Sequence, residues 1–421
     1  MRYAAVLTAL AAALAPPAAA QVSPPAPPTG TGALRVFLDC TRCDFDFLRQ
    51  EITFINYVRD RKDAEVHVLV TTLGTGSGGL EYTLEYIGLE RFAGVEASLR
   101  YVSSGTDTSD ERRRGFAQVF QLGLMRYVAE TPLASQITIG RRGQAAGPSA
   151  AAPGEDPWNF WIFRLSTNGD YRSEARTSRK AFRTSFSANR TTEAWKISLN
   201  SNISYSESRF DLGEGEIFVN VTRNYEHRGL VVKSLGDHWS AAARGSVSRS
   251  TFFNQALALS TSAGLEYDIF PYAESTRRAF TIRYQVGVER NRYEEMTIFN
   301  KLKETLAGHS LEASLSLRQP WGTSGLSFEF VQFLHDLSKQ RAELDWNFDV
   351  RLFRGFSFDI DGNVSRVRDQ LYLPAGDRSA EEILLLRRQL ATTHRYSVGF
   401  GISYQFGSIY NNVVNPRFGG R

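Results

Sequence analysis

Apolar and polar residues alternate along most of the second half of the chain. In the segment FTIRYQVGVER, Phe280, Ile282 and Tyr284 lie on one side of an extended backbone, and Thr281 and Arg283 lie on the other. About twelve such segments follow one another, and each has roughly the 9 to 11 residues that a tilted strand needs to cross a bilayer. The pattern therefore predicts an antiparallel sheet of about twelve strands over residues 158–407.

The connections between these segments differ at the two ends of the predicted strands. Short turns that contain Gly or Pro, such as QPWGTS and FRG, alternate with longer ones, such as SESRFDLGEG, NRYEEMTIFNKLKE and residues 369–393. Short turns at one end, longer loops at the other and an even strand number are typical of outer-membrane barrels.

Residues 34–142 have a mixed pattern instead. LRVFLD and EVHVLVTTL predict buried strands, and apolar residues at helical spacing from Asp44 as far as Val58 predict a helix between them. A capping box, Thr108 to Glu111, opens a second amphipathic helix. These elements predict a small α/β domain, which is separated from the large sheet by a Pro/Gly-rich linker over residues 143–157.

The first residues, MRYAAVLTALAAALAPPAAA, have a basic start, a short apolar run and small residues before Gln21. This arrangement predicts a signal peptide over residues 1–20, followed by a disordered Pro-rich tether over residues 21–33. The rest of the sequence lacks a long uncharged apolar run, so we expect any contact with a membrane to be made by β-structure.

Charge and motif content exclude several kinds of function. The 421 residues include 49 Lys and Arg and 45 Asp and Glu without a long block of one sign, so we expect no nucleic-acid partner. The Gly-rich GTGSGG precedes a strand rather than a helix, which predicts a hairpin instead of a nucleotide site. The six histidines lack metal-ligand spacing, and no catalytic pair stands out. We therefore expect no cofactor, no metal and no enzymatic activity.

The apolar side of the predicted sheet faces either a core or lipid, because soluble sandwiches alternate in the same way. All six tryptophans lie in this half of the chain, many near segment ends, as in an interfacial girdle: Trp158, Trp161, Trp195, Trp239, Trp321 and Trp346. Together with the export signal, this favours a transmembrane antiparallel β-barrel over a secreted β-sandwich.

The polar sides of the strands then line a lumen. We expect eleven charged residues to point into it: Arg183, Lys196, Arg283, Glu289, Arg341, Glu343, Asp345, Asp349, Arg351, Asp359 and Asp361. Charges of both signs at this density favour salt-bridge ladders that brace the wall over a selectivity filter.

The second half of the chain resembles the bacterial outer-membrane β-barrel proteins, whose last strand usually ends on an aromatic residue. GFGISYQF supplies Phe406 at that position, although the chain continues as a tail over residues 408–421, where Phe418 is a second candidate. The resemblance implies outer-membrane lipid and the barrel-assembly machinery as partners. We expect the α/β domain to lie in the periplasm, where it has a possible protein partner.

Cys40 and Cys43 are the two cysteines of the chain, in the sequence DCTRCD between a predicted strand and helix. A redox pair would occupy such a position, because a helix N-terminus lowers a thiol pKa. The intervening Thr41 and Arg42 are atypical of such a pair, so a structural disulfide or two idle thiols are favoured in an oxidising compartment.

These observations predict a narrow pore, a transporter or a structural anchor, with an α/β domain that gates it or binds a partner. The alternatives are an autotransporter-like translocator that displays this domain, an outer-membrane hydrolase and a thiol enzyme on a membrane anchor.

Overall fold

A computed structural model of the protein describes residues 32–76, 78–136, 156–376, 392–415 and 417. The predicted signal peptide lies outside these ranges, and so do most of the predicted tether and linker. Phe418 also lies outside them. The domain boundaries predicted for these segments therefore stay predictions.

The N-terminal part contains a five-stranded mixed sheet and two helices. Its elements are β1 (Arg35–Asp39), α1 (Phe45–Glu51), β2 (Asn56–Tyr57), β3 (Val66–Gly74), β4 (Leu80–Gly88), β5 (Glu96–Val102) and α2 (Ser109–Val128). The strand order is β2-β1-β3-β4-β5, with β1 parallel to β2 and β3 and the other pairs antiparallel. The predicted small α/β domain is confirmed.

The two helices begin where the sequence predicts, but the first ends early. The Asp44 side chain accepts a hydrogen bond from the backbone of Phe47 and caps α1, and the predicted capping box opens α2. Helix α1 stops at Glu51, whereas the apolar pattern continues to Val58. Of the later apolar residues, Ile52 is the C-cap of α1, Ile55 precedes the short strand β2, and Val58 forms a β-bridge; all three are buried without a continuing helix.

Helix α2 packs closely on one face of the five-stranded sheet. At Gly123 an added Cβ would lie 2.0 Å from Cζ of Tyr86, so only glycine lets the helix approach this ring. The Tyr86 hydroxyl donates to the carbonyls of Val119 and Phe120, each at 3.1 Å. This contact fixes α2 against β4 by both packing and hydrogen bonds.

The second part is one antiparallel sheet of twelve strands, as predicted. The strands are β6 (Trp161–Ser173), β7 (Thr177–Thr191), β8 (Trp195–Gly213), β9 (Glu216–Ser234), β10 (Trp239–Ser250), β11 (Gln255–Asp268), β12 (Arg278–Tyr293), β13 (Lys303–Gln319), β14 (Gly322–Phe333), β15 (Gln340–Phe353), β16 (Phe356–Val367) and β17 (His394–Tyr404). Each pairs with its neighbours in the sequence, so β6 and β17 are the edges of the described sheet.

The strands are longer than the sequence pattern predicts. They span 11 to 19 residues, and β8 and β9 are the longest. The predicted loop SESRFDLGEG is mostly strand, because β8 and β9 continue to a tight turn at Glu214 and Gly215, both with positive φ. The difference between the two ends of the sheet therefore comes partly from this extended hairpin and partly from the long connection over residues 368–393, both at the end opposite the short turns.

Every strand of the large sheet has an apolar face and a polar face, as predicted. Adjacent strands pair in registers that keep the faces aligned: Ile282 lies beside Tyr267, and Arg283 beside Glu266. The apolar face is uncovered in the described residues. Val286, in the middle of the sheet, is 49% exposed, and Phe400 near an edge is 75% exposed. A β-sandwich would bury these side chains against a second sheet, so the structure does not have that architecture.

Most tryptophans lie at one end of the large sheet. We call it the short-turn end, and it carries the turns at residues 192–194, 235–238, 269–277, 320–321 and 354–355. Trp158, Trp161, Trp195, Trp239 and Trp321 all lie at or just before strands that begin there. Lys233 places its ammonium 4.7 Å from the Trp195 ring. This concentration matches the expected aromatic belt at one rim of a barrel.

Candidate functional site

The large sheet buries one face of the five-stranded sheet. On β3, Val68 and Val70 belong to the core that contains α2 residues. His67, Leu69 and Thr71 alternate with them, point to the opposite face, and are each at most 1% exposed. We call this opposite face the docking face. Its burial shows that the α/β domain is seated against the rest of the chain.

The central contact of the docking face is an ion pair between Asp39 at the end of β1 and Arg351 near the end of β15. Arg351 donates from Nη1 to Oδ2 at 2.5 Å and from Nη2 to Oδ1 at 2.8 Å. This bidentate geometry is the strong form of a carboxylate–guanidinium contact. Nε2 of His67 lies 3.5 Å from the same carboxylate, and the guanidinium lies 5.4 Å from the Phe37 ring. A residue predicted to line the lumen therefore binds the α/β domain.

The charge of Asp39 depends on these partners. Burial alone would raise the pKa of this carboxyl, but the nearby His67 ring and the hydrogen bonds and charge of Arg351 outweigh burial and hold the pKa well below its usual range. Asp39 is thus an anion that the docked arrangement stabilises.

A second set of contacts joins the domain to the turn between β15 and β16. The Arg354 side chain binds Asp63, with Nε 3.1 Å from Oδ2. The backbone N–H of Gly355 donates to Oδ2 of Asp60 at 2.5 Å. The turn FRG, predicted only as a short connection, is therefore part of the interface.

Contacts continue along the short-turn end toward the first strands. Arg277, in the turn before β12, lies 3.1 Å from Glu85 on β4. The β3–β4 hairpin reaches the β7–β8 turn, where a Cβ added at Gly76 would lie 2.8 Å from Oγ1 of Thr191. The domain thus touches turns near both edges and the middle of the twelve-stranded sheet.

The C-terminal tail binds the free edge of β2. The Asn411 N–H donates to the Tyr57 carbonyl at 2.9 Å, and the Tyr57 N–H donates to the Asn412 side chain at 2.7 Å. The Asn412 amide also donates to Asn56 at 2.8 Å, and Val58 forms a β-bridge with Tyr410. The chain after Phe406 therefore holds the α/β domain at the end of the last strand.

Several predicted lumen residues form ion-pair clusters on the polar face. Arg283 binds Glu312 and lies 3.8 Å from Glu266. Arg341 lies 3.2 Å from Glu329 on the next strand. The remaining contacts of this second cluster involve Arg341 with Glu343 (3.9 Å) and Asp369 (3.8 Å), and Asn363 with Glu343 (2.9 Å) and Asp345 (2.6 Å). Ion pairs between neighbouring strands are therefore present among these residues, and their position in a lumen stays a prediction.

Other predicted lumen residues lie on the same face without such partners. Asp359 and Asp361 lie over glycines of β17, since a Cβ added at Gly401 or Gly399 would meet their carboxylates within 3 Å. Asp349 lies opposite Asp359 in the β15–β16 ladder. Glu289 borders a cavity of about 450 Å³ together with Glu329 and Arg341. Arg183 and Lys196 have no carboxylate within 4.0 Å in the described ranges.

Cys40 and Cys43 are joined by a disulfide at the start of α1, one residue after Asp39. Among the described residues, no group of three or more His, Cys, Asp or Glu side chains is arranged to hold a metal. No helix within those residues is both long and apolar enough to cross a membrane.

We expect Arg351→Gln to undock the α/β domain. It leaves the buried Asp39 without its partner, a loss that typically costs about 3 to 5 kcal/mol. The distance between spin labels at Ser135→Cys on the domain and Leu235→Cys on a short turn measures docking, and it should change from one narrow distribution to a broad one. Arg283→Gln, which removes a charge paired within the sheet, should keep the narrow distribution. Equal distributions in both variants would show that Asp39–Arg351 does not hold the domain.

Docking should resist mild acid. Because the docked pKa of Asp39 is depressed, its contribution is complete above its undocked pKa of about 4 and declines only as the pH falls below that value. Burial raises the pKa of Glu85, more strongly than nearby Arg277 lowers it, so its protonation does not oppose docking. The same label distance should be constant from pH 7 to about 4 and broaden at lower pH. Release between pH 7 and 5 would contradict this assignment.

Comparisons with known proteins give weak likenesses. No protein-family model matches the sequence, and no curated protein matches it significantly. Among solved structures, the chain is similar to the NanC porin (TM-score 0.28, 10% identity, 58% of this chain and 99% of that one). It is also similar to the beta domain of the Bordetella autotransporter Brka (TM-score 0.26, 10% identity, 58% of this chain and 98% of that one). A third similar structure is the translocator domain of autotransporter NalP from Neisseria meningitidis (TM-score 0.22, 10% identity, 58% of this chain and 87% of that one). TM-scores and identities of this size are too low to define the fold or function of this chain.

Proposed function

We propose that this protein is an outer-membrane β-barrel pore whose short-turn mouth is closed by its own α/β domain. The observation that carries the proposal is the docking face: it is buried against turns near both edges and the middle of the twelve-stranded sheet. In this arrangement lipid surrounds the apolar face, and the polar face lines a water-filled lumen.

The uncovered apolar face supports a membrane environment. A contiguous apolar surface extending over twelve strands is far larger than soluble monomers expose. On β8 the outward residues Trp195, Ile197, Leu199 and Ile203 define an apolar band of about nine residues, the length that crosses a bilayer. Beyond this band the outward Glu207 binds Lys180 at 2.8 Å, as expected where the hairpin enters water.

Closure of the sheet follows from the same environment. In lipid the unpaired N–H and C=O groups of β6 and β17 would each cost several kcal/mol, so we expect these two edges to pair. The polar face of β17 carries Ser397, Gly399 and Gly401 beside the acidic β16. These small side chains leave the polar face open at the edge where we expect β6 to pair.

The position of the domain supports a gate rather than a displayed passenger. The domain is held by ion pairs that involve Asp39, Asp63 and Glu85, and by the tail that follows β17. Short turns lie on the periplasmic side of outer-membrane barrels, and this supports a periplasmic position for the domain. Ion pairs and hydrogen bonds of this kind can be exchanged for contacts with water, so the closed mouth can open.

The experiment that tests the proposal is conductance of the purified full chain in planar bilayers. The wild-type protein should conduct little, and Asp39→Arg, which places two cations together, should raise the open fraction at least tenfold. Asp46→Arg makes the same charge change on the exposed side of α1 and should leave conductance unchanged. Asp39→Arg combined with Arg351→Asp should restore closure.

Unboiled and boiled samples of each variant should migrate differently in detergent gels, which verifies the folded barrel. If folded Asp39→Arg conducts no better than the wild-type protein, the domain does not close a pore.

A further inference from the structure

Charges are segregated across the polar face of the large sheet. The register places ten charged residues of β6–β10 on this face, of which seven are basic: Arg164, Arg172, Arg179, Arg183, Lys196, Arg228 and Arg244, with Asp170, Glu216 and Glu226. On β11–β17 the balance is reversed, with eleven acidic and five basic residues. One half of the proposed lumen wall is therefore basic, and the other is acidic.

The basic half contains a cavity of about 390 Å³ built by four adjacent strands. Its polar lining combines arginines with amide and hydroxyl groups: Asn168, Arg172, Arg179, Arg183, Ser204 and Asn224. Arginine supplies planar donors that match carboxylate and phosphate oxygens, and neighbouring hydroxyl and amide groups add further hydrogen bonds. The volume is suited to a small molecule rather than to a protein segment.

The two central arginines lack internal partners. In the described parts of the chain, neither Arg179 nor Arg183 has a carboxylate within 4.0 Å, and Asp170, the acid of this cavity, lies 3.5 Å from Arg172. Oδ1 of Asn224 is buried without a hydrogen-bond partner. On the opposite face of the same strand, Lys180 is paired with Glu207. The unpaired cations are thus concentrated on the side that faces the cavity.

We propose that this cavity binds a small solute with at least two negative charges of the carboxylate or phosphate type. Arg179 and Arg183 bind its anionic groups, and Ser204 and Asn224 bind its remaining polar atoms. This inference rests on the proposed lumen and names the class of solute that the lumen takes up.

The location of the cavity separates binding from gating. Arg183 is eight residues from Thr191, where the short-turn end begins, and this corresponds to about 26 Å along the strand. A solute that enters from the long-loop end therefore reaches the arginines without displacing the α/β domain. The acidic β11–β17 wall lines the rest of the lumen, so the basic half is where an anion is held.

The test is calorimetric titration of the full chain in detergent with inorganic pyrophosphate and, separately, citrate, at low ionic strength. Both anions should bind, and Arg179→Gln combined with Arg183→Gln should weaken binding at least tenfold. Lys180→Gln combined with Arg190→Gln removes the same charge from the opposite face of the same strand and should change affinity less than twofold. Preference for one anion assigns the site to phosphate or carboxylate groups.

Equal weakening by both pairs of substitutions would overturn the proposal, because binding would then reflect net charge alone. Absence of binding to the wild-type protein would also overturn it. Arg179→Lys with Arg183→Lys keeps the charge but loses the planar donors, so its affinity should lie between those of the wild-type protein and the glutamine variant. Conductance of folded Asp39→Arg tests the pore separately. If this variant conducts but the protein does not bind the anions, the anion site is rejected and the pore stands. If the protein binds the anions but the variant does not conduct, the pore is rejected.

Discussion

The structure depends on one constraint: twelve consecutive strands present an apolar face that none of the described residues covers. Val286 and Phe400, in the middle and at an edge of the sheet, are both exposed on this face. An apolar surface of this extent is stable only against another apolar phase. The inward polar face, the need to pair the edge strands, and the tryptophans at the short-turn end all follow from placing that surface in lipid.

The same constraint explains where the charges go. Charged side chains are costly in lipid, so they occupy the polar face or the strand ends. At the short-turn end this leaves Arg351 and Arg354 next to the α/β domain, and their pairs with Asp39 and Asp63 join two parts of the chain that are about 300 residues apart in sequence. Further along the strands, Arg283 and Arg341 pair with some of the carboxylates of the acidic half, whereas Arg183 stays unpaired in the described residues. In the proposed function, arginines therefore serve in three places: the lumen wall, the gate and the anion site.

Sequence patterns that span only a few residues predicted much of this architecture. Alternation located the twelve strands and their faces, and local chemistry located the starts of both helices, at Asp44 and Thr108. Contacts between distant segments have no local pattern, so the sequence did not indicate the Asp39–Arg351 pair or the seating of Asn412 on β2. The length of β8 and β9 was missed because polar and charged residues alternate with apolar ones less regularly once a hairpin leaves the membrane. The position of Asp39, at the carboxyl end of a buried strand, was the available signal for the docking site.

The central claim is that the apolar face meets lipid and the polar face meets water. The most direct measurement is a scan of single spin labels at consecutive positions along β12, from Phe280 to Glu289, in protein reconstituted into bilayers. Collision with oxygen, which concentrates in lipid, and with a water-soluble nickel complex is compared at each position. The account predicts opposite alternation with a period of two, with oxygen favoured at Ile282 and Tyr284 and nickel at Arg283 and Gln285. Low accessibility of Ile282 and Tyr284 to both reagents would show that this face is packed against protein and would contradict the account.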